Sequence, residues 1–230
     1  MRLLTLILCL CSSISHAYPT LITDRNVFDA LFPTSSFEDF ESINVPEGSN
    51  ITIPETLNSN TDTAEVDAGD VVPGISFTNP DGEIRILGHN DASYFCELSP
   101  VNSNRLSFEN DDAEELILDF EQAINSFGLD IIGIEDPFLN ISFYMSDGSN
   151  YSQDISAIFD KNTFFGWDFV DLKVISIAID SVNDYYFAID NVTFVTSNIN
   201  SVPEPSTISL MCFTLFGFLS LELIKKGSKK

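Results

Sequence analysis

Between Tyr18 and Asn200 the apolar residues fall into short runs, some alternating with polar residues and some unbroken, each closed by turn-forming residues. A period of two at this spacing predicts strands, because successive side chains on a strand point to opposite faces. Residues 114–120 show it most clearly: Leu116, Leu118 and Phe120 share one face, Ile117 and Asp119 the other. Residues 36–43 (SFEDFESI) interleave Phe37 and Phe40 with acids, and residues 73–77 lead into the turn Asn79-Pro80-Asp81-Gly82. Further strands are predicted over residues 105–108, 125–134, 138–145, 150–155, 163–170, 172–179 and 185–195, with Asp147-Gly148 as a hairpin turn. Roughly nine or ten strands so punctuated predict an all-β domain of β-sandwich or jelly-roll type. Helical character is confined to residues 27–32, with Thr23 or Asp24 as the cap. Residues 42–71, rich in Asn, Thr, Glu and Asp and broken by Pro46 and Pro54, read as long surface loops and an edge strand.

Both ends depart from this pattern. Met1-Arg2 is a basic start, residues 3–10 are apolar apart from Thr5, and Ser15-His16-Ala17 places small residues for a cut before Tyr18. That order predicts a cleavable signal peptide over residues 1–17 and export past signal peptidase. At the other end residues 208–224 are almost wholly apolar, interrupted by Ser209, Thr214, Gly217, Ser220 and Glu222. Seventeen helical residues rise roughly 25 Å, enough for a single transmembrane helix. Lys225, Lys226, Lys229 and Lys230 follow at once and mark the cytoplasmic side, so the body faces outward.

Directly ahead of that span stands Val202-Pro203-Glu204-Pro205-Ser206-Thr207. Pro-Glu-Pro, one apolar span and a basic cluster at the extreme C-terminus together resemble the PEP-CTERM sorting signal of Gram-negative bacteria. The resemblance covers residues 201–230 and implies recognition of Pro203, Glu204 and Pro205 by a membrane-embedded exosortase. Glu222 is a mild departure from a wholly apolar span. The resulting organisation is a signal peptide (1–17), a β-sandwich ectodomain (18–200) and a sorting signal (201–230).

The later body also resembles the jelly-roll domain often found ahead of such signals. The matching pieces are GISF at 74–77, LILDF at 116–120, AINSFG at 123–128, FYMSDGS at 143–149, FFG at 164–166 and YFAIDNVTF at 186–194. This second resemblance implies polysaccharide binding and a structural calcium, in which an early Phe-Glu pair meets an Asp of the last strand. Phe37-Glu38 or Phe40-Glu41 offers the first and Asp190 the second. Calcium takes six to eight hard oxygen ligands, which the loops of a sandwich can supply. Asp190 is also the odd charge in an apolar strand, where an unpaired carboxylate is costly. The alternatives for Asp190 are solvent or a hydrogen bond to a neighbouring turn. For stacking on a sugar ring Trp167, between Gly166 and Asp168, is the leading residue, with Tyr151, Tyr185 and Tyr186 behind it. A lone Trp in a sandwich is otherwise a core residue.

Charge narrows the list of partners. The chain carries a formal net charge of -25, and residues 18–205 hold every acid but Glu222 against Arg25, Arg85, Arg105, Lys161 and Lys173. Such a surface repels phosphate backbones, which excludes nucleic acid, and favours cations and polycationic partners. Cys96 is the only cysteine between the terminal segments, so no internal disulfide supports the body. His89 is the only histidine after the signal, and the chain has no Gly-x-Ser-x-Gly elbow, phosphate-cradling loop or dinucleotide fingerprint. A non-enzymatic exported surface or matrix protein of exopolysaccharide and biofilm is therefore the expectation. The rivals are an envelope glycan hydrolase using paired carboxylates and a permanently anchored single-pass adhesin.

Overall fold

The longest element, β8 (Glu115–Gly133), pairs with different neighbours along its two halves and so joins two sheets. The alternation of Leu116, Leu118 and Phe120 stops at Glu121 and Gln122, which is why two strands are predicted there. The backbone nevertheless remains extended through both polar residues, which are exposed. Val174 of β12 (Val174–Ser181) pairs with Ile124, and Ser176 with Asp119, so the intervening residues of β8 bulge out of register. The computed structural model describes residues 18–53, 56–80, 82–89, 103–108, 115–133, 138–158, 161–181 and 187–197. Residues 1–17, where a signal peptide is expected, Pro203-Glu204-Pro205 and the apolar span at 208–224 lie outside the described residues, as do Cys96, Tyr185 and Tyr186. Among the described residues no helix is long and apolar enough to cross a membrane.

The first sheet runs in the order β4 (Thr56–Asn58), β5 (Ile75–Thr78), the first half of β8, β12, β9 (Phe138–Met145) and β10 (Asn150–Ser156), all antiparallel. The β9–β10 hairpin turns at Asp147-Gly148, as the sequence predicts. Gly148 takes φ 84°, and the Asp147 carboxylate accepts the Ser149 N–H at 2.9 Å. The second sheet runs from β1 (Thr20–Ile22) through β11 (Thr163–Asp168), the second half of β8, β13 (Phe187–Thr196), β7 (Arg105–Phe108) and β6 (Ile84–Leu87) to β3 (Asn50–Ile53). A short β2 (Ser36–Glu38) pairs with the end of β13. The all-β, sandwich-like architecture is the one the alternation predicts. β1 and β6 escape that reading, and the 42–71 stretch holds two short strands where one is expected.

The inner faces of the two halves meet in one apolar cluster. Phe143 of the first sheet packs edge-on to Trp167 of the second at 5.1 Å, and Trp167 stacks on Phe127 at 6.2 Å. The outer faces differ. Over the second sheet lies α1 (Arg25–Leu31), whose N-terminus is capped by Asp24 accepting the N–H of Asn26 and Val27. Its Phe28 is wholly buried against Phe164, and its Arg25 reaches Asp130 of β8 at 3.1 Å. Arg25 also donates to the Asn191 carbonyl (2.8 Å) and to Thr193 Oγ1 (3.2 Å), while lying 4.4 Å from the Phe164 ring centre. The partly exposed outer face of the first sheet is described below.

Candidate functional site

The structure gives each predicted calcium ligand a separate task. β2 does lie on the last strand, with Glu38 opposite Val192, as the early Phe-Glu expectation requires. The Glu38 carboxylate, however, accepts the N–H of Phe40 through Oε1 and of Val72 through Oε2, both at 2.6 Å. It thereby holds a turn in which Phe40 adopts the left-handed φ of 58°. Burial pushes the Glu38 carboxyl above its ordinary range, against the pull of those two backbone donors. Glu41 accepts the Asn104 N–H at 2.7 Å and faces His89 Nε2 at 3.1 Å. Asp190, 1% exposed, accepts Ser103 Oγ–H at 2.8 Å and the Asn191 N–H at 2.6 Å. Among the described residues no group of three or more His, Cys, Asp and Glu side chains is placed to hold a metal ion. The three acids are hydrogen-bonded to backbone N–H groups, the Ser103 hydroxyl and the His89 ring.

Asp190 also stands directly across from Asp130 in the β8–β13 pairing. Asn191, at φ 51°, forms the bulge beside it and donates from Nδ2 to Asp130 Oδ2 at 2.8 Å. Two facing carboxylates are the raw material of a hydrolase, but both residues are buried, and Arg25 and Asn191 occupy Asp130. Desolvation pushes the Asp190 carboxyl up to about 7, with Asp130 and Glu41 adding to the effect and Ser103 and Asn191 opposing it. The arrangement is a buried polar fastening under α1.

Trp167 does not face solvent. Its ring is wholly buried between Phe127, Phe143 and Phe165, and Nε1–H donates to Gln153 Oε1 at 2.9 Å. The inward parity of β11 decides this: Trp167 pairs across from Phe127, which also points into the core. The sugar-stacking expectation for Trp167 is therefore corrected to a core role. Tyr151 is half-buried, stacked on Phe143 and edge-on to Tyr18.

A polar cavity of ≈ 610 Å³ opens beside the His89–Glu41 pair, lined also by Ile43, Glu47 and Asn104. Asn104 secures its wall by donating from Nδ2 to the carbonyls of Phe40 and Ile43.

The more extensive surface is the outer face of the first sheet. Registers across its strands place Asn150, Tyr144, Ser176, Asp119, Ser76 and Asn58 in one row. A second row holds Ser152, Ser142, Ala178, Ile117, Thr78 and Thr56. A third crosses Asp154, Asn140, Asp180 and Glu115. The opposite parity on the same strands supplies Leu57, Phe77, Leu118, Ile177, Ile141 and Phe143 to the core, so the sequence alternation itself creates this hydroxyl, amide and carboxylate face. Tyr144 is 40% exposed and Phe138 52% exposed at opposite ends of β9. Short hydrogen bonds already orient part of it: Ser142 Oγ with Ser152 Oγ at 2.8 Å, and Asn140 Nδ2 to Asp154 Oδ1 at 2.8 Å. The alternation of Asn140, Ser142 and Tyr144 with Leu139, Ile141 and Phe143 was a visible signal of a half-exposed strand. Its continuation across six strands required the register.

No family model matches the chain, and no curated protein matches it. Among solved structures it overlaps a family 29 carbohydrate-binding module complexed with mannohexaose, at TM-score 0.35 and 13% identity, over 75% of this chain and 98% of that one. The first family 29 module of Piromyces equi gives TM-score 0.36 and 9% identity, over 66% and 93% of the two chains. The lectin domain of lectinolysin, complexed with Lewis b, gives TM-score 0.32 and 8% identity, over 41% and 72%. Overlaps at this level decide nothing about a ligand, which has to be argued from this chain's own surface.

Proposed function

We propose that this protein is an exported, non-enzymatic component of the Gram-negative cell envelope whose outer first-sheet face contacts extracellular polysaccharide. Signal peptidase removes residues 1–17, an exosortase acts at Pro203-Glu204-Pro205, and the C-terminal apolar span holds the chain in the membrane until then. The observation that carries the binding role is the asymmetry of the sandwich. One outer face carries α1, packed on β1 and β11 and fastened through Arg25 to β8 and β13, while the other presents rows of hydroxyl, amide and carboxylate groups beside Tyr144. Polar side chains that alternate with buried apolar ones are held in place by the core beneath them, so a polyhydroxylated ligand meets partners already ordered. The tripartite C-terminal sequence supports sorting, and the absence of the usual catalytic signatures from the sequence supports a binding role.

Intact mass spectrometry of the protein from envelope and medium, with and without an exosortase, tests the sorting. The expected species lacks residues 1–17 and the tail beyond the Pro-Glu-Pro motif only when the enzyme is present. A species ending at Lys230 in both strains means a permanently anchored protein instead. Retention of the mature protein on the cells' own exopolysaccharide, weakened by Tyr144→Ala at unchanged melting temperature, tests the binding face.

A further inference from the structure

We infer that the polymer this face selects is a polycationic one, a polysaccharide of amino sugars with free ammonium groups. The inference rests on the polysaccharide-binding reading above and names its ligand class. The third row of the face runs over four neighbouring strands, with Asp154 on β10, Asp180 on β12 and Glu115 on β8. Neighbouring strands lie about 4.8 Å apart, close to the advance of one pyranose unit along an extended glycan. A chain laid across the strands therefore passes the exposed Asp154 and the half-buried Asp180 and Glu115, three carboxylates over four strands. Asp119, also on this face, is exposed in the first row. The three rows contain no Lys or Arg, and between the terminal segments only five basic residues oppose nearly all of the chain's 35 acids. Uronate or sulfate polymers are repelled by such a field, a neutral glycan gains nothing from it, and an ammonium-bearing one is drawn in and held.

The local chemistry agrees. Asp180 and Glu115 are direct cross-strand partners, and like charges so placed are unfavourable. Burial, then the neighbouring Asp180, push the Glu115 carboxyl above its ordinary range. An ammonium group beside Glu115 favours its charged form and opposes that shift. Around the acids, Asn140, Ser142, Ser152 and Asn150 offer hydroxyl and amide partners to sugar hydroxyls, and Tyr144 offers a ring.

The test is affinity electrophoresis or calorimetry of the mature protein with soluble polyglucosamine, with the same polymer fully N-acetylated, and with alginate. Because any acidic protein has some attraction for a polycation, two charge-matched variants are compared. One carries Glu115→Gln, Asp154→Asn and Asp180→Asn; the other carries Asp29→Asn, Asp62→Asn and Glu65→Gln at exposed positions on α1 and the loop after β4. The face variant is expected to lose at least about fivefold in affinity for polyglucosamine, with little loss in the control. The exposed single change Asp154→Lys is expected to weaken binding in the same direction should the triple variant fold poorly. Equal losses in the two triple variants overturn the inference, since only bulk charge is then at work. Preference for the acetylated polymer, still dependent on Tyr144, overturns the ammonium assignment while leaving the polysaccharide reading intact. Indifference of every polymer to both Tyr144→Ala and the face variant overturns both.

Discussion

Trp167 Nε1–H donates to Gln153 Oε1 at 2.9 Å beneath the surface of the sandwich, tying β11 of one sheet to β10 of the other. The only tryptophan of the chain is thus both a core side chain and a satisfied donor. Its fluorescence is expected to be blue-shifted and insensitive to iodide, and to stay unchanged when polysaccharide binds. Quenching by a glycan, without loss of structure, would show that this ring reaches the ligand.

The FFG motif has a packing explanation. Gly166 pairs across from Gly128, and a Cβ added at Gly166 would stand 2.5 Å from Phe28 Cδ2. The two glycines make room for the Phe28 and Phe164 rings that bind α1 to the second sheet. Gly166→Ala is expected to cost about 1–3 kcal/mol by overpacking. Combining it with Phe28→Leu is expected to recover part of that cost. Melting temperatures of the two single variants and the double variant measure this; simple additivity would separate the two positions.

Asp190 gives the fold a distinct pH response. Its carboxyl is raised by desolvation, and by Asp130 and Glu41, from 3.8 to about 7, so between those values the folded chain holds a proton that the unfolded chain has lost. Stability contributed by this group is therefore full at the acid end, falls as pH rises through the window, and levels off above about 7. Glu38 is shifted in the same direction. Urea unfolding at a series of pH values is expected to show a shallower decline for Asp190→Asn than for the native chain. An unchanged slope would place the titration elsewhere.

Much of the architecture is legible from alternation alone, because a strand buried on one face must repeat every second residue. Leu116, Leu118 and Phe120 show it, as does the β9–β10 hairpin at Asp147-Gly148. The short helix is legible from its capping residues, with Thr23 or Asp24 as the cap; the structure selects Asp24 and begins the helix at Arg25, two residues before the expected 27–32. The passage of β8 through Glu121 and Gln122 is not, since it depends on which strands pair with each half. Nor could Trp167 be placed by composition, because its direction follows from the parity of β11 against Phe127. Glu38 and Asp190 stand out in sequence as charges beside apolar residues, yet their partners Val72 and Ser103 are distant along the chain. The outer face occupies an intermediate position: each strand advertises its polar side, while the row of Asp154, Asn140, Asp180 and Glu115 exists only once registers are set.

The most direct measurement is hydrogen–deuterium exchange of the protein with and without added exopolysaccharide. The account predicts slower exchange in peptides covering Phe138–Met145 and Asn150–Ser156, where β10 is the outer strand of the face, and no change across Arg25–Leu31. Protection confined to residues 41–47 and His89 would assign recognition to the cavity beside Asn104 and contradict the sheet-face account.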